Sequence, residues 1–388
     1  MGCSVKKMKI IYINGNRDID INGYDGKATH VRGVIESFST EHIVYYFTKN
    51  EKYVNSTSGR IYYYQSVEDI VKVVNSLQFD FAYERYCLHS YEGIEITQLL
   101  KIPIIMEFNF SFVYGNEKDK SIVDIEDAFE CEKRVLLSSD YIVTVSDVLQ
   151  DYLNKIGVRQ SMIFPACVDP IIFKPEITKR NKIRNKYNLL DEIVVGFVGS
   201  FQKYHGLEIV IEVINKVHDS NIKKIIFMLV GDGKYYDEFK NEISTKNLED
   251  YVVFTGRLDQ DNVVNAIAAF DIAIMTTPQY EKDKYFWKYH GVPVKILEYM
   301  SMAKPTISPE IQTLKHIILH DINGYVVKIG DSEAFFNAII CLRDNVEKRD
   351  KIGRAARETI IAKYTWKRKT DAIITLAKNL INNKGAFN

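Results

Sequence analysis

"VVGFVGSFQKYHGLEIVIEVI", residues 194–214, decides the fold. A β-branched apolar run ends at Gly199, and a polar loop follows with Lys203, His205 and Gly206. From Leu207 onward the apolar residues recur at helical spacing. A strand that turns through glycines into a helix opens a βαβ unit. The first N–H groups of such a helix are free, so its start favours an anion. Lys203 and His205 stand where an ammonium and an imidazolium could hold a phosphate; a solvated lysine and a histidine that caps the helix fit the same spacing.

The first strand opens in the same way, through "IIYINGNRDIDINGYDGKATHVRGVI", residues 10–35. Between and beyond these two stretches, strand-like runs alternate with helical patterns: "HIVYYF", "FDFAYER", "PIIMEFN", "YIVTVS", "IIFMLVGDG", "VVFTGR", "IAIMTT", "PTISP" and "GYVVKI". This order predicts parallel sheets and an α/β fold. The series breaks between Phe164 and Glu192, where three prolines and a basic run intervene. We therefore expect one doubly wound domain over residues 1–172, a linker over 173–191 and a second domain over 192–366. A terminal helix, 367–388, would cross back onto the first. Ligands of open parallel sheets sit at the carboxyl ends of the strands, so both glycine loops should line a shared cleft.

Composition bounds the function. The 388 residues are 46% apolar and 26% charged, with Lys+Arg equal to Asp+Glu at 51 each. That balance gives no electrostatic footprint for nucleic acid. Cys3, Cys87, Cys131, Cys167 and Cys341 lie too far apart for a disulfide framework or a zinc motif, which suits a reducing cytoplasm. No run is long and apolar enough to span a bilayer. The start "MGC" has Lys6 where myristoylation wants Ser or Thr. The basic stretch from Lys174 to Tyr187 could meet anionic lipid at the inner face of the membrane, or be a solvated linker face. Asp18 with Asp20, and Asp259 with Asp261, are carboxylate pairs spaced for a metal, and we expect none there.

Other segments add candidates. "LVGDGKYYDEF", residues 229–239, ends a strand with Gly231 and Gly233, which would let a ligand reach the backbone. "GVPVKILEYMSMAKP", residues 291–305, is a helix with Pro293 at its start and Ile296, Leu297 and Met300 on its apolar face. Lys295 and Glu298 project together from its first turn. The carboxylate could accept both hydroxyls of a ribose and the ammonium could pair with a diphosphate; a surface ion pair is the plainer reading. In the first domain, His30, then Glu84, Arg85, Tyr86 and His89, and finally Glu107 and Asn109 end strands or start helices on the cleft side.

Together these pieces resemble the GT-B glycosyltransferases of the large retaining family 4. The resemblance spans nearly the whole chain: "GYDGKATHV", "FAYERY", "IPIIMEFN", "SSDYIVTVSDVLQDYL", "PACVDPIIFKP", "VGSFQKYHGLE", "LVGDG", "VVFTGRL", "VPVKILEYMSMAKP" and "NGYVV" occur in the family's order. It implies two Rossmann-like domains, with a nucleoside-diphosphate sugar in the second, UDP first among the nucleotides. Glu298 would bind the ribose; Lys295 and His205 would meet the diphosphate, with His30 beside them in the catalytic set. Gly26, Gly199, Ser200, Lys203, Gly231, Gly233, Arg257 and Val294 would line the donor. Glu84, Arg85, Tyr86, Glu107 and Asn109 would face a glycan, lipid-linked or small-molecule acceptor. No cofactor and no metal are implied, and the setting is cytoplasmic, at most peripheral at the membrane.

Two departures stand out. His290 occupies the place of the family's first motif glutamate, eight residues before Glu298, and His205 stands where the diphosphate loop usually has lysine. The first motivates a competing reading, a non-catalytic subunit that binds or stabilises another transferase. A dinucleotide oxidoreductase is disfavoured, because no G-x-G-x-x-G follows the first strand.

Overall fold

A computed structural model describes residues 7–23, 25–54, 59–114, 124–278 and 291–385. They form two compact units. The first runs to Cys167 and regains the chain at Trp366; the second is Val168 to Thr365, apart from a short loop ahead of Pro293.

The first unit is a seven-stranded sheet of β1 (Lys9–Asn14), β2 (Ile43–Thr48), β3 (Ile61–Tyr63), β4 (Phe81–Arg85), β5 (Ile104–Phe108), β6 (Tyr141–Thr144) and β7 (Ser161–Ile163), ordered β3-β2-β1-β4-β5-β6-β7. Every pairing is parallel. The connecting helices are α1 (Gly26–Ser39), α2 (Val67–Val74), α3 (Glu92–Leu100), α4 (Ile125–Ser138) and α5 (Asp147–Lys155). Ile10, Ile11, Tyr12 and Ile13 of β1 are all fully buried, because helices cover both faces of a parallel sheet. The edge strands β3 and β7 escape the sequence reading; unlike the equally short β11 and β13, neither has a fully buried residue.

The second unit is a six-stranded parallel sheet of β8 (Ile193–Val198), β9 (Ile225–Val230), β10 (Val252–Gly256), β11 (Ile272–Ile274), β12 (Thr306–Pro309) and β13 (Tyr325–Val327), ordered β10-β9-β8-β11-β12-β13. Its helices are α6 (Ile177–Lys186), α7 (Leu207–Asp219), α8 (Tyr236–Thr245), α9 (Gln260–Ala269), α10 (Val294–Ser301), α11 (Ser332–Asp344) and α12 (Val346–Lys363). The final helix, α13 (Trp366–Gly385), belongs to the first unit. Trp366, Ile373, Ile374 and Ala377 join that unit's core, and Thr370 Oγ1 lies 2.8 Å from Ser37 Oγ of α1.

The stretch expected as a linker, 173–191, contains α6, which lies against α9 inside the second unit. Its basic run is not simply solvated. Arg180 Nη2 reaches Asp271 Oδ1 at 2.8 Å, and the buried Arg184 reaches Asp271 Oδ2 at 3.0 Å. These two cations hold the Asp271 carboxyl below its usual range against the upward push of burial.

Each sheet reverses its strand order once, between β1 and β4 in the first and between β8 and β11 in the second. The crevice outside the carboxyl ends of those strands is where such folds bind ligands. In the second unit the neighbouring strand ends are packed backbone to backbone. Gly231, at φ +130°, sits so close to Gly199 that a Cβ on it would fall 2.0 Å from the Gly199 carbonyl oxygen. Gly231→Ala should therefore destabilise the protein by about 2 kcal/mol or more, read as a lower urea midpoint in equilibrium unfolding; an unchanged midpoint would contradict this packing.

Candidate functional site

At the reversal point of the second unit, β8 ends in Val198, whose N–H donates to the Tyr299 hydroxyl at 2.7 Å. That bond pins α10 against the strand end. Lys295, one turn earlier on α10, is thereby carried over the loop: a Cβ on Gly199 would meet its Nζ at 2.5 Å. The ammonium lies 4.6 Å from the centre of the Phe197 ring. Its nitrogen is buried and has no hydrogen-bond partner. Burial pushes the Lys295 pKa down to about 7, against an upward pull from Glu298. Burial likewise pushes Glu298 up to about 7, opposed by Lys295. No ion pair within contact distance joins them among the described residues, so the surface salt bridge considered from sequence is not what forms.

The loop after β8 completes the surroundings. Gly206, at φ +63°, closes a short 3-10 turn (Lys203–His205) and caps α7 without a side chain. A Cβ there would strike the Thr277 carbonyl carbon at 2.3 Å, so only glycine lets the loop reach the end of β11. Thr276 Oγ1 donates to the His205 carbonyl at 2.7 Å, which holds that turn. The His205 ring stands edge-on to Phe197, 5.9 Å between centres, and Nε2 is 3.4 Å from Ser200 Oγ. His205 and Lys295 thus share one aromatic neighbour. Val294 is the first residue of α10. Arg257 is exposed directly after Gly256, whose carbonyl accepts from the Gly231 N–H at 2.9 Å. Lys203 points elsewhere: its Nζ is 3.6 Å from Glu238 and 5.4 Å from the centre of the Tyr235 ring.

In the first unit, the register places Asn14 opposite Arg85 and Arg85 opposite Glu107, across the ends of β1, β4 and β5. Glu107 is completely buried. Its Oε1 is 2.8 Å from His30 Nε2 and 2.5 Å from Lys369 Nζ, and its Oε2 is 3.8 Å from Arg85. Burial alone would raise the Glu107 pKa, but His30, Lys369 and Arg85 together hold it well below the usual carboxylate range. Burial pushes His30 down to about 4 despite Glu107. The imidazole is therefore neutral at pH 7 and donates to Glu107 through Nε2. Its ring packs edge-on against Trp366, 4.9 Å between centres.

Several expected acceptor liners turn inward. Glu84 is fully buried, receives a 3.3 Å hydrogen bond from Ser90, and is pushed up to about 8 by burial and Glu92. Tyr86 is buried against Phe108, 5.3 Å between ring centres. His89 is exposed, 3.8 Å from Asp127. The Asn109 amide has neither its nitrogen nor its oxygen paired. Gly26 begins α1 behind its Asp25 cap, and a Cβ there would meet nothing within 4 Å. Asp20 is engaged by Lys52 and Tyr53, and Asp259 caps α9. His290 lies outside the described residues. The residue that sequence reasoning missed is Lys369. Its signal is a cation on the otherwise apolar stripe Trp366, Ile373 and Ala377 of the last helix.

Two parallel sheets, each with one strand reversal, define a double Rossmann-like protein, and the buried Lys295 stands at the reversal of the second unit. Residues 179–359 match the family model described as glycosyl transferases group 1. That match covers just under half of the chain, and the fold is the GT-B fold of its solved neighbours. The chain is 25% identical over 252 residues to N-acetyl-alpha-D-glucosaminyl L-malate synthase of Bacillus anthracis, covering 59% of this chain and 62% of that one. It is 21% identical over 330 residues to the UDP-Gal:alpha-D-GlcNAc-diphosphoundecaprenol alpha-1,3-galactosyltransferase of Escherichia coli, covering 82% and 80%. The crystal structure of Anabaena HepE in complex with UDP superposes with a TM-score of 0.74 at 15% identity, over 95% of this chain and 100% of that one. The chain spans about three fifths of the length of the first curated relatives it matches.

A buried ammonium without a counter-ion in contact is costly. Because Lys295 titrates lower in the folded state than in the unfolded one, the unfolded chain binds more protons between pH 7 and the ordinary lysine value. Wild-type stability should thus rise through that window. Lys295→Met should be more stable than wild type by ~1–3 kcal/mol at pH 6, with the gap narrowing toward pH 10. Urea unfolding at both pH values checks this; a less stable Met variant at pH 6 would contradict it.

Proposed function

We propose that the protein is a retaining glycosyltransferase. It moves a hexose-type sugar from a nucleoside-diphosphate sugar, UDP first among them, to a hydroxyl of a glycan, a lipid-linked or a small-molecule acceptor, with a place in bacterial surface polysaccharide synthesis. The observation that carries this reading is the Lys295 ammonium, buried without a partner over Gly199. A diphosphate would supply the missing negative charge, and among the described residues no carboxylate contacts the ammonium.

The division of labour follows from the chemistry. As the anomeric bond breaks, charge builds on the departing diphosphate oxygen, and a fixed cation in a water-poor site stabilises it strongly. Lys295 is placed for that, with His205 and the N-terminal end of α7 beside the same loop. A diphosphate leaves without a general acid. Glu298, one turn along α10, would accept the ribose hydroxyls, which requires its ionised form. Gly199, Ser200, Gly231 and Gly233 would border the phosphates and sugar, with Arg257 toward the base. Attack by the acceptor hydroxyl on the face the diphosphate leaves gives retention without the two opposed carboxylates of a glycosidase. The names of the relatives support a UDP donor: one is a UDP-galactose transferase, and HepE crystallised with UDP.

The buried His30 supports a positioning role better than direct proton transfer, since its Nε2 is committed to Glu107. Lys203, paired with Glu238, supports the donor less than its sequence position suggested. Because Arg180 and Arg184 are spent on Asp271, the basic run lends little to membrane contact.

UDP at a hundred times its Kd should stabilise the protein by about 2.7 kcal/mol, seen as a rise in Tm that magnesium does not alter and that Glu298→Ala abolishes. No shift with UDP, GDP, dTDP, CDP or ADP would overturn the reading and favour a non-catalytic partner subunit.

A further inference from the structure

Charge does not balance around Glu107 in the first unit. This wholly buried carboxylate faces two cations, Lys369 at 2.5 Å and Arg85 at 3.8 Å. Its third neighbour, His30, is neutral, held down to about 4 by burial. The adjacent carboxyl, Glu84, brings no compensating charge at pH 7, because burial lifts it to about 8. Glu92 is already ion-paired to Lys49. Among the described residues, one carboxylate therefore serves two cations, of which Lys369 is fully buried and Arg85 is 14% exposed.

Lys369 takes the short contact, so Arg85 is the cation left over. Its Nη1 is buried and has no hydrogen-bond partner. Arg85 ends β4, at the point where the sheet reverses its order, which is where a ligand of this unit would lie. Asn14, its register neighbour on β1, is already engaged with the Tyr46 hydroxyl at 3.0 Å. On the other side, Asn109 follows Glu107 by two residues and has an amide with both ends unsatisfied. A guanidinium with an unsatisfied N–H suits a planar or tetrahedral oxyanion, since its fork donates two parallel N–H bonds, and the unsatisfied Asn109 amide follows on the neighbouring strand end.

We propose that Arg85 and Asn109 bind an anionic group of the acceptor, a phosphate or a carboxylate carried near the hydroxyl that receives the sugar. The inference rests on the glycosyltransferase reading for the word acceptor, but the anion site itself does not. It narrows the acceptor to a phosphorylated or carboxylated molecule and sets neutral glycans aside.

The test is calorimetric titration of the full-length protein with glycerol 3-phosphate, succinate and glycerol. It is run in the Lys295→Met variant, which removes the unpaired cation of the second unit. The expected result is binding of one anion in clear preference to glycerol, weakened about tenfold or more by Arg85→Gln and less by Arg85→Lys. Preference for glycerol 3-phosphate assigns a phosphate-bearing acceptor, and preference for succinate a carboxylate-bearing one. Binding that is the same in Arg85→Gln, or no preference over glycerol, overturns the proposal. Should Arg85→Gln fail to fold, the preference over glycerol and the Arg85→Lys titration decide it. A separate UDP titration of the wild type reads the other site: anion binding without UDP binding would sink the functional reading and leave this site standing.

Discussion

An ammonium buried against an aromatic ring, with no carboxylate in contact, is the constraint around which the second unit is arranged. Lys295 can hold that place only because Tyr299 ties α10 to the end of β8 and because Gly199 has no side chain beneath the ammonium. The same requirement reaches outward. Gly199 is flanked by Gly231, and Gly206 lets the next turn press against Thr277, so three glycines from two loops bring backbone to one spot. A protein selected only for stability would place a hydrophobic residue at position 295 and avoid the desolvated charge. The cost is understandable if a ligand restores the balance.

The first unit treats its buried charge differently. Glu107 gathers His30, Lys369 and Arg85 around one carboxylate, and two of those partners come from α1 and α13, far apart in the chain. Through Lys369 and Trp366, the last helix becomes part of the core that orients His30. This hub explains why residues expected to touch an acceptor are interior ones, and why the leftover valence lies on Arg85.

Much of the fold was legible because parallel strands buried on both faces read as continuous β-branched runs, such as Ile10–Ile13, and glycines mark their ends. Edge strands such as Ile61–Tyr63, only half-buried along their length, do not stand out as core runs. The segment around α6 reads as a linker because its prolines and basic residues look solvated; nothing in the sequence signals that Arg180 and Arg184 both find Asp271, some ninety positions later. Within the site, the pairing of Lys295 and Glu298 on one helix face was readable from spacing. Whether they touch was not, because that depends on where Phe197 and Gly199 stand. Lys203 and His205 are two residues apart in one loop, yet the turn at Gly206 sends only His205 toward Phe197. Glu84 and Arg85 divide in the same way, since successive residues of a strand face opposite sides of the sheet.

On the proposed reading, Lys295 is held unpaired for the diphosphate of the donor. The measurement that tests it most directly is isothermal titration of UDP at pH 8 in buffers of different ionisation enthalpy, with wild type and Lys295→Met. With a free-state pKa of about 7, Lys295 is mostly neutral at that pH and must be protonated to hold the diphosphate. The expected result is uptake of about one proton per UDP bound in the wild type and none in the variant. Binding without proton uptake, or equal uptake in Lys295→Met, would contradict it.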